Sequence, residues 1–147
     1  MTGYAERIRR LREQTGKTDT EMAELLGMSL DSYCDLEMYD DELTTVPSVK
    51  QVRMLADILG VSMVRLLAEE NLPPDSIEKI NYEDLVRRTK EYIDVNCANQ
   101  DEFEDQIGWY LADLFAGQES AWETYSIQFL QDLCRRLSLS WLETLPA

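Results

Sequence analysis

Histidine is absent from this 147-residue chain, which removes imidazole as a metal ligand, a general base or a charge switch near neutral pH. Cysteine is scarce: Cys34, Cys97 and Cys134 lie far apart and are odd in number. Such a set supports neither a closed disulfide framework nor a Cys/His zinc site, so three reduced thiols are expected, with no metal and no cofactor. Long apolar runs are missing too, broken by charges such as Asp57 and Arg65, and the opening "MTGYAERIRR" lacks the apolar core of a leader. That pattern excludes a membrane-spanning helix and points to a soluble, cytoplasmic protein. No glycine-rich phosphate loop and no nucleophile motif occurs, and "DEFED" at Asp101 has neither the ligand spacing nor the turn glycine of a calcium loop. Catalysis would have to rest on carboxylates or thiols in no visible arrangement, so an enzyme is not expected.

The largest deficit is positive charge. Fourteen Lys and Arg stand against 29 Asp and Glu, for a net charge of -15, and such a chain repels nucleic acid and anionic membranes at long range. Distribution sharpens the point: residues 18–49 hold nine acids and residues 91–134 hold ten, and neither block contains a single Lys or Arg. The bases are gathered elsewhere, most densely in "ERIRRLRE", where Arg7, Arg9, Arg10 and Arg12 fall within two helical turns.

What the chain has in quantity is helical patterning. With 44% hydrophobic residues it can bury a core. Apolar positions recur at helical spacing: Ile8 and Leu11; Met22, Leu25 and Leu26; Tyr33 and Leu36; then Val52, Leu55, Ala56 and Leu59. Gly16 ends the first helix, Thr18 caps the second with Glu21 completing a capping box, Gly27 breaks it and Ser29 caps the third. The spacing predicts five short helices in residues 1–70. "NLPPDS" then supplies a proline-containing linker at 71–76, where Asp75 or Ser76 can cap the next helix, and a second helical unit occupies 77–147.

The stretches "IRRLREQTGKTDTEMAELLGMSLDSYCDLE" and "VKQVRMLADILGVSMVRLL" resemble the Cro and lambda-repressor-like helix-turn-helix family, the XRE type, over about the first half of the chain. The small Ala23 lets two helices approach, Gly27 takes the left-handed turn, and Tyr33 and Leu36 pack inward. Gly60 and Ser62 punctuate the last two helices. The resemblance implies an all-α, lambda-repressor-like five-helix domain and a role in transcription regulation. It also implies a DNA-reading third helix, and there the chain departs from the pattern.

An internal repeat is legible as well. A shift of 78 pairs "YAERIRRLRE" at Tyr4 with "YEDLVRRTKE" at Tyr82, and "LADILGVSMVRLL" at Leu55 with "LCRRLSLSWLETL" at Leu133. Between them a shift of 81 aligns "EMAELLGMSL" at Glu21 with "EFEDQIGWYL" at Glu102. The second unit thus reads as a diverged tandem copy of the first. It departs where the motif is strictest: Glu104 replaces Ala23 and Tyr110 replaces Ser29, while Phe103, Ile107, Leu111 and Leu114 keep an unbroken helical spacing. One continuous helix from about Asp101 to Phe115 and two helices with a turn both fit. Trp109, Tyr110, Trp122, Tyr125 and Trp141 read either as core or as a partner surface.

The third helix and the loop after it offer Leu30, Asp31, Ser32, Cys34 and Asp35, then Asp40, Asp41 and Glu42, where DNA-binding members of the family offer polar or basic side chains. Asp19 stands where a Gln is usual. A carboxylate about 4 Å from a phosphate costs about 1 kcal/mol in water and about 4 at an effective dielectric of 20. The expected function is therefore exercised through protein contacts, with DNA mimicry or anti-repression as its mode. Asp31, Asp35, Asp40, Asp41 and Glu42 form the expected surface, for a basic protein partner or for self-association. The alternative is an atypical DNA-binding repressor that contacts nucleic acid through Arg7, Arg9, Arg10 and Arg12.

Overall fold

The computed structural model describes residues 3–68 and 79–146. They form an all-α fold: α1 (Tyr4–Thr15), α2 (Asp19–Leu26), α3 (Leu30–Met38), α4 (Glu42–Thr45), α5 (Val49–Leu59), α6 (Met63–Leu67), α7 (Tyr82–Asn96), α8 (Gln100–Ile107), α9 (Ala112–Ala116), α10 (Gln118–Thr124), α11 (Ile127–Leu137) and a closing 3-10 turn, Trp141–Thr144. No strand occurs among the described residues, and no helix there is long and apolar enough to cross a membrane. The linker expected at 71–76, with its capping Asp75 or Ser76, lies outside the described residues. The helix that follows is capped by Asn81, whose side chain accepts from the Asp84 N–H.

Helix ends in the first half fall where turn chemistry places them. Thr18 and Glu21 form a reciprocal capping box, Ser29 accepts from the Ser32 N–H, and Gly16, Gly27 and Gly60 are all left-handed. The segment before α5 differs from expectation. Residues 42–45 close a short extra helix, α4, because Leu43 is fully buried and the Thr45 hydroxyl donates back to the Asp41 carbonyl. Six helices therefore stand where five were expected.

In the second half the uninterrupted apolar spacing does not produce one long helix. α8 ends at Gly108, left-handed at φ 78°. The chain re-enters helix at Ala112 with Glu104 reaching over the turn, its carboxylate accepting from the Leu111 N–H at 2.6 Å. Glu104 thus supplies a turn-closing acceptor that the Tyr110 side chain does not offer.

The two halves meet along one seam. α5 packs against α10 and α11 against α4. At the centre Ser48, which caps α5, and Ser126, 78 residues on and just before α11, form an antiparallel bridge with Val49 N–H donating to the Tyr125 carbonyl at 2.8 Å. Lys50 pairs with Glu123 across the same seam at 2.9 Å. One buried hydrophobic cluster includes residues of both halves, from Ile8 to Leu145.

Candidate functional site

α3 is held from beneath by its apolar face. Tyr33 and Leu36 are buried against Met22, Ala23 and Ile8, with α1 and α2 as neighbours. One carboxylate of the acidic block is spent in this packing. Glu37, four residues after Tyr33, accepts two hydrogen bonds from Arg12 at 2.7 and 3.0 Å in a half-buried, two-pronged pair. That bond raises the Arg12 guanidinium pKa, and burial with Glu37 beside it raises that of the Tyr33 phenol.

The outer face of α3 carries Leu30, Asp31, Cys34, Asp35 and Met38, followed by Tyr39. Leu30, Cys34 and Met38 repeat every four residues and form one row along the helix, with Asp31 and Asp35 as the adjacent row. The Cys34 thiol lies 3.9 Å from an Asp19 carboxylate oxygen, which brings the start of α2 to the middle of this strip. Partial burial, then the negative charges of Asp19, Glu37, Asp31 and Asp35, push the Cys34 thiol up from its ordinary range. Beside it, desolvation and the charges of Asp35 and Asp41 raise the Glu42 carboxyl, so Asp35, Asp41 and Glu42 form one like-charged group.

Asp40, exposed like Asp31 and Asp41, also has a structural part. Its carboxylate turns back to accept from the Ala5 N–H at 3.1 Å, closing the N-terminus of α1, where Gly3 has no side chain to do so. The approach is close enough that a Cβ on Gly3 would meet Asp40 side-chain atoms within 2.3 Å. Asp31, Asp35, Asp41 and Glu42 are the other acids expected at this face; Asp31 and Asp41 are exposed and Asp35 and Glu42 half-buried.

The basic strip of α1 is also divided. Arg7 is buried and donates to the carbonyls of Leu66 and Ala68, both at 2.7 Å, tying α1 to the C-terminal end of α6. Arg12 is held by Glu37 and the Lys17 carbonyl. Two of the four arginines expected as the alternative nucleic-acid contact, Arg7 and Arg12, are thus bonded within the fold. Arg9 and Arg10 remain exposed.

Of the aromatics left open between core and surface, Trp122 and Tyr125 are buried, Trp109 and Trp141 half-buried, and Tyr110 exposed. Tyr125 stacks on Phe129 with centroids 3.7 Å apart, accepts from the Leu114 N–H and donates to the Tyr110 carbonyl. Trp109 donates its indole N–H to Asp132. These rings build the second half rather than a partner surface, Tyr110 excepted. Met38 and Tyr39, not among the residues expected at this face, are exposed there together with Leu30. For Met38 the signal was its place on the same helix as Tyr33 and Leu36 but off their buried face.

No family model matches the chain, no curated protein matches it, and no solved structure matches it.

Proposed function

We propose that this chain is a helix-turn-helix scaffold of the transcription-regulator type whose third helix meets a basic protein surface instead of a DNA groove. The observation that carries the reading is the outer face of α3 and the turn after it. Asp31, Asp35, Asp41 and Glu42 sit there in a block of residues, 18–49, that contains no Lys or Arg. Double-stranded DNA carries about one negative charge per 1.7 Å of axis, and a row of carboxylates can stand in for that charge before a protein built to bind phosphates. Support also comes from the fate of the bases: Arg7 and Arg12, which could have offset the repulsion, are consumed inside the fold.

The same proposal extends to the architecture. The first half is an XRE-like domain and the second a diverged copy, joined as an internal pair. Supporting this, Gly60 and Ser138, 78 residues apart, both close a helix in the left-handed conformation, and Ser48 and Ser126, with the same separation, precede α5 and α11 and meet each other at the seam. The pair then needs no second chain to cover α5 and α11.

The direct test is binding to random and upstream genomic duplexes at about 50 mM salt, where phosphate contacts are strongest. The proposal expects no retained duplex. Sequence-specific retention by the native protein would overturn it and restore the repressor reading, with exposed Arg9 and Arg10 as the first residues to change.

A further inference from the structure

Among the described residues seven large hydrophobic side chains are exposed: Leu25, Leu30, Met38, Tyr39, Val46, Val95 and Tyr110. Five of them, Leu25 through Val46, fall inside the base-free acidic block of residues 18–49, which is less than a quarter of the chain. A surface meant only to stay solvated or to repel DNA has no use for this coincidence, because each exposed apolar group adds unfavourable contact with water. On α3 the arrangement is ordered. Leu30 and Met38, 42% and 66% exposed, bracket Cys34 in one row, and Asp31 and Asp35 run alongside it.

We infer that the outer face of α3 is a docking strip for an amphipathic basic helix of a protein partner. This rests on the proposed function above and names the element that the partner presents. Such a helix has an apolar row repeating every three to four residues, which covers Leu30, Cys34 and Met38, and Lys or Arg at i, i+4 spacing beside it, which meets Asp31 and Asp35. Charge alone selects the basic flank, since no base in residues 18–49 competes for these carboxylates. The apolar row selects an amphipathic segment over a purely basic tail, and a helix with leucine-like side chains every three to four residues matches a row spaced by four while its flanking Lys or Arg stay beside the carboxylates. Cys34 lies under the seated helix.

The test uses the full chain and two synthetic helical peptides about four turns long. One carries a leucine row flanked by lysines; the other has the same lysines with serine in place of each leucine. Affinity is read by fluorescence anisotropy at about 50 and 500 mM salt, on either side of physiological screening. The expected result is at least about tenfold tighter binding of the leucine peptide, retained in part at high salt, and a loss of about tenfold in L30S/M38S with no change in V95S. The seated peptide also slows alkylation of Cys34. If the two peptides bind equally and L30S/M38S changes nothing, the docking strip is overturned while the acidic-face reading stands. If D31N/D35N binds the peptides as tightly as the native protein, the acidic-face reading falls as well. All the substituted side chains except that of Asp35 are well exposed, and unchanged circular dichroism confirms that each variant is folded.

Discussion

At the scale of single residues, the arginines of α1 show how far charge counting reaches. Four guanidinium groups within two turns read as one basic patch, yet Arg7 points inward to the end of α6 and Arg12 to Glu37. Helical spacing already separates them: Arg7 and Ile8 share the buried face, whereas Arg9 and Arg10 do not. Arg7→Ala should therefore destabilise the fold by about 2–3 kcal/mol, the range for losing charge-assisted bonds to buried carbonyls, while Arg9→Ala should cost less than about 0.5. Urea unfolding of the two variants measures the difference. Glu42 makes a prediction about pH. Its carboxyl is raised in the folded chain by desolvation and by Asp35 and Asp41, so the native state holds this proton more tightly than the unfolded one. Its contribution favours the fold at low pH and is lost as pH rises through and above the ordinary value of 4.5. Glu42→Gln should accordingly unfold at higher urea than the native protein at neutral pH, and the gap should close on acidification below about pH 4.

At the scale of elements, helix ends were more legible than helix lengths. Thr18, Ser29, Gly27, Gly60 and Ser62 announce their roles because capping is a local exchange of hydrogen bonds among neighbours in sequence. The turn after α8 was not legible from apolar spacing, since the acceptor that closes it, Glu104, acts over seven residues. α4 escaped notice for a similar reason: a single turn pinned by Leu43 has too few residues to show a period. The end of α11 carries a test of this logic. Ser138 occupies the left-handed region at φ 58°, the one non-glycine to do so among the described residues, at the place where the first half has Gly60. A Cβ in that conformation costs about 1 kcal/mol, so Ser138→Gly should raise unfolding stability by roughly 0.5–1 kcal/mol. A loss of stability would mean that the serine side chain has taken on a compensating bond.

At the scale of the whole molecule, the seam decides how the halves behave. The sequence shows two units, but the pairing of Ser48 with Ser126 and the crossed packing of α5 on α10 and α11 on α4 join elements far apart in the chain, which no local pattern announces. With one continuous core, the halves should unfold together. The test is simple because all three tryptophans, Trp109, Trp122 and Trp141, lie in the second half while both halves are helical. Tryptophan fluorescence and far-ultraviolet circular dichroism should give coincident urea transitions; separated transitions would mean two independent units.

The central claim, that the acidic face of α3 receives a basic protein element in place of DNA, meets its most direct test in a competition. A labelled random duplex is bound to the lysine- and leucine-bearing helical peptide, and the native protein or D31N/D35N/D41N/E42Q is titrated in at about 100 mM salt, where screening leaves short-range contacts in control. Asp40 is left intact because it holds the start of α1. The account predicts that the native protein frees the duplex and that the four-fold variant needs at least about tenfold more protein to do so. Equal displacement by the two would contradict it, since the remaining acids of this chain would then suffice without the α3 face.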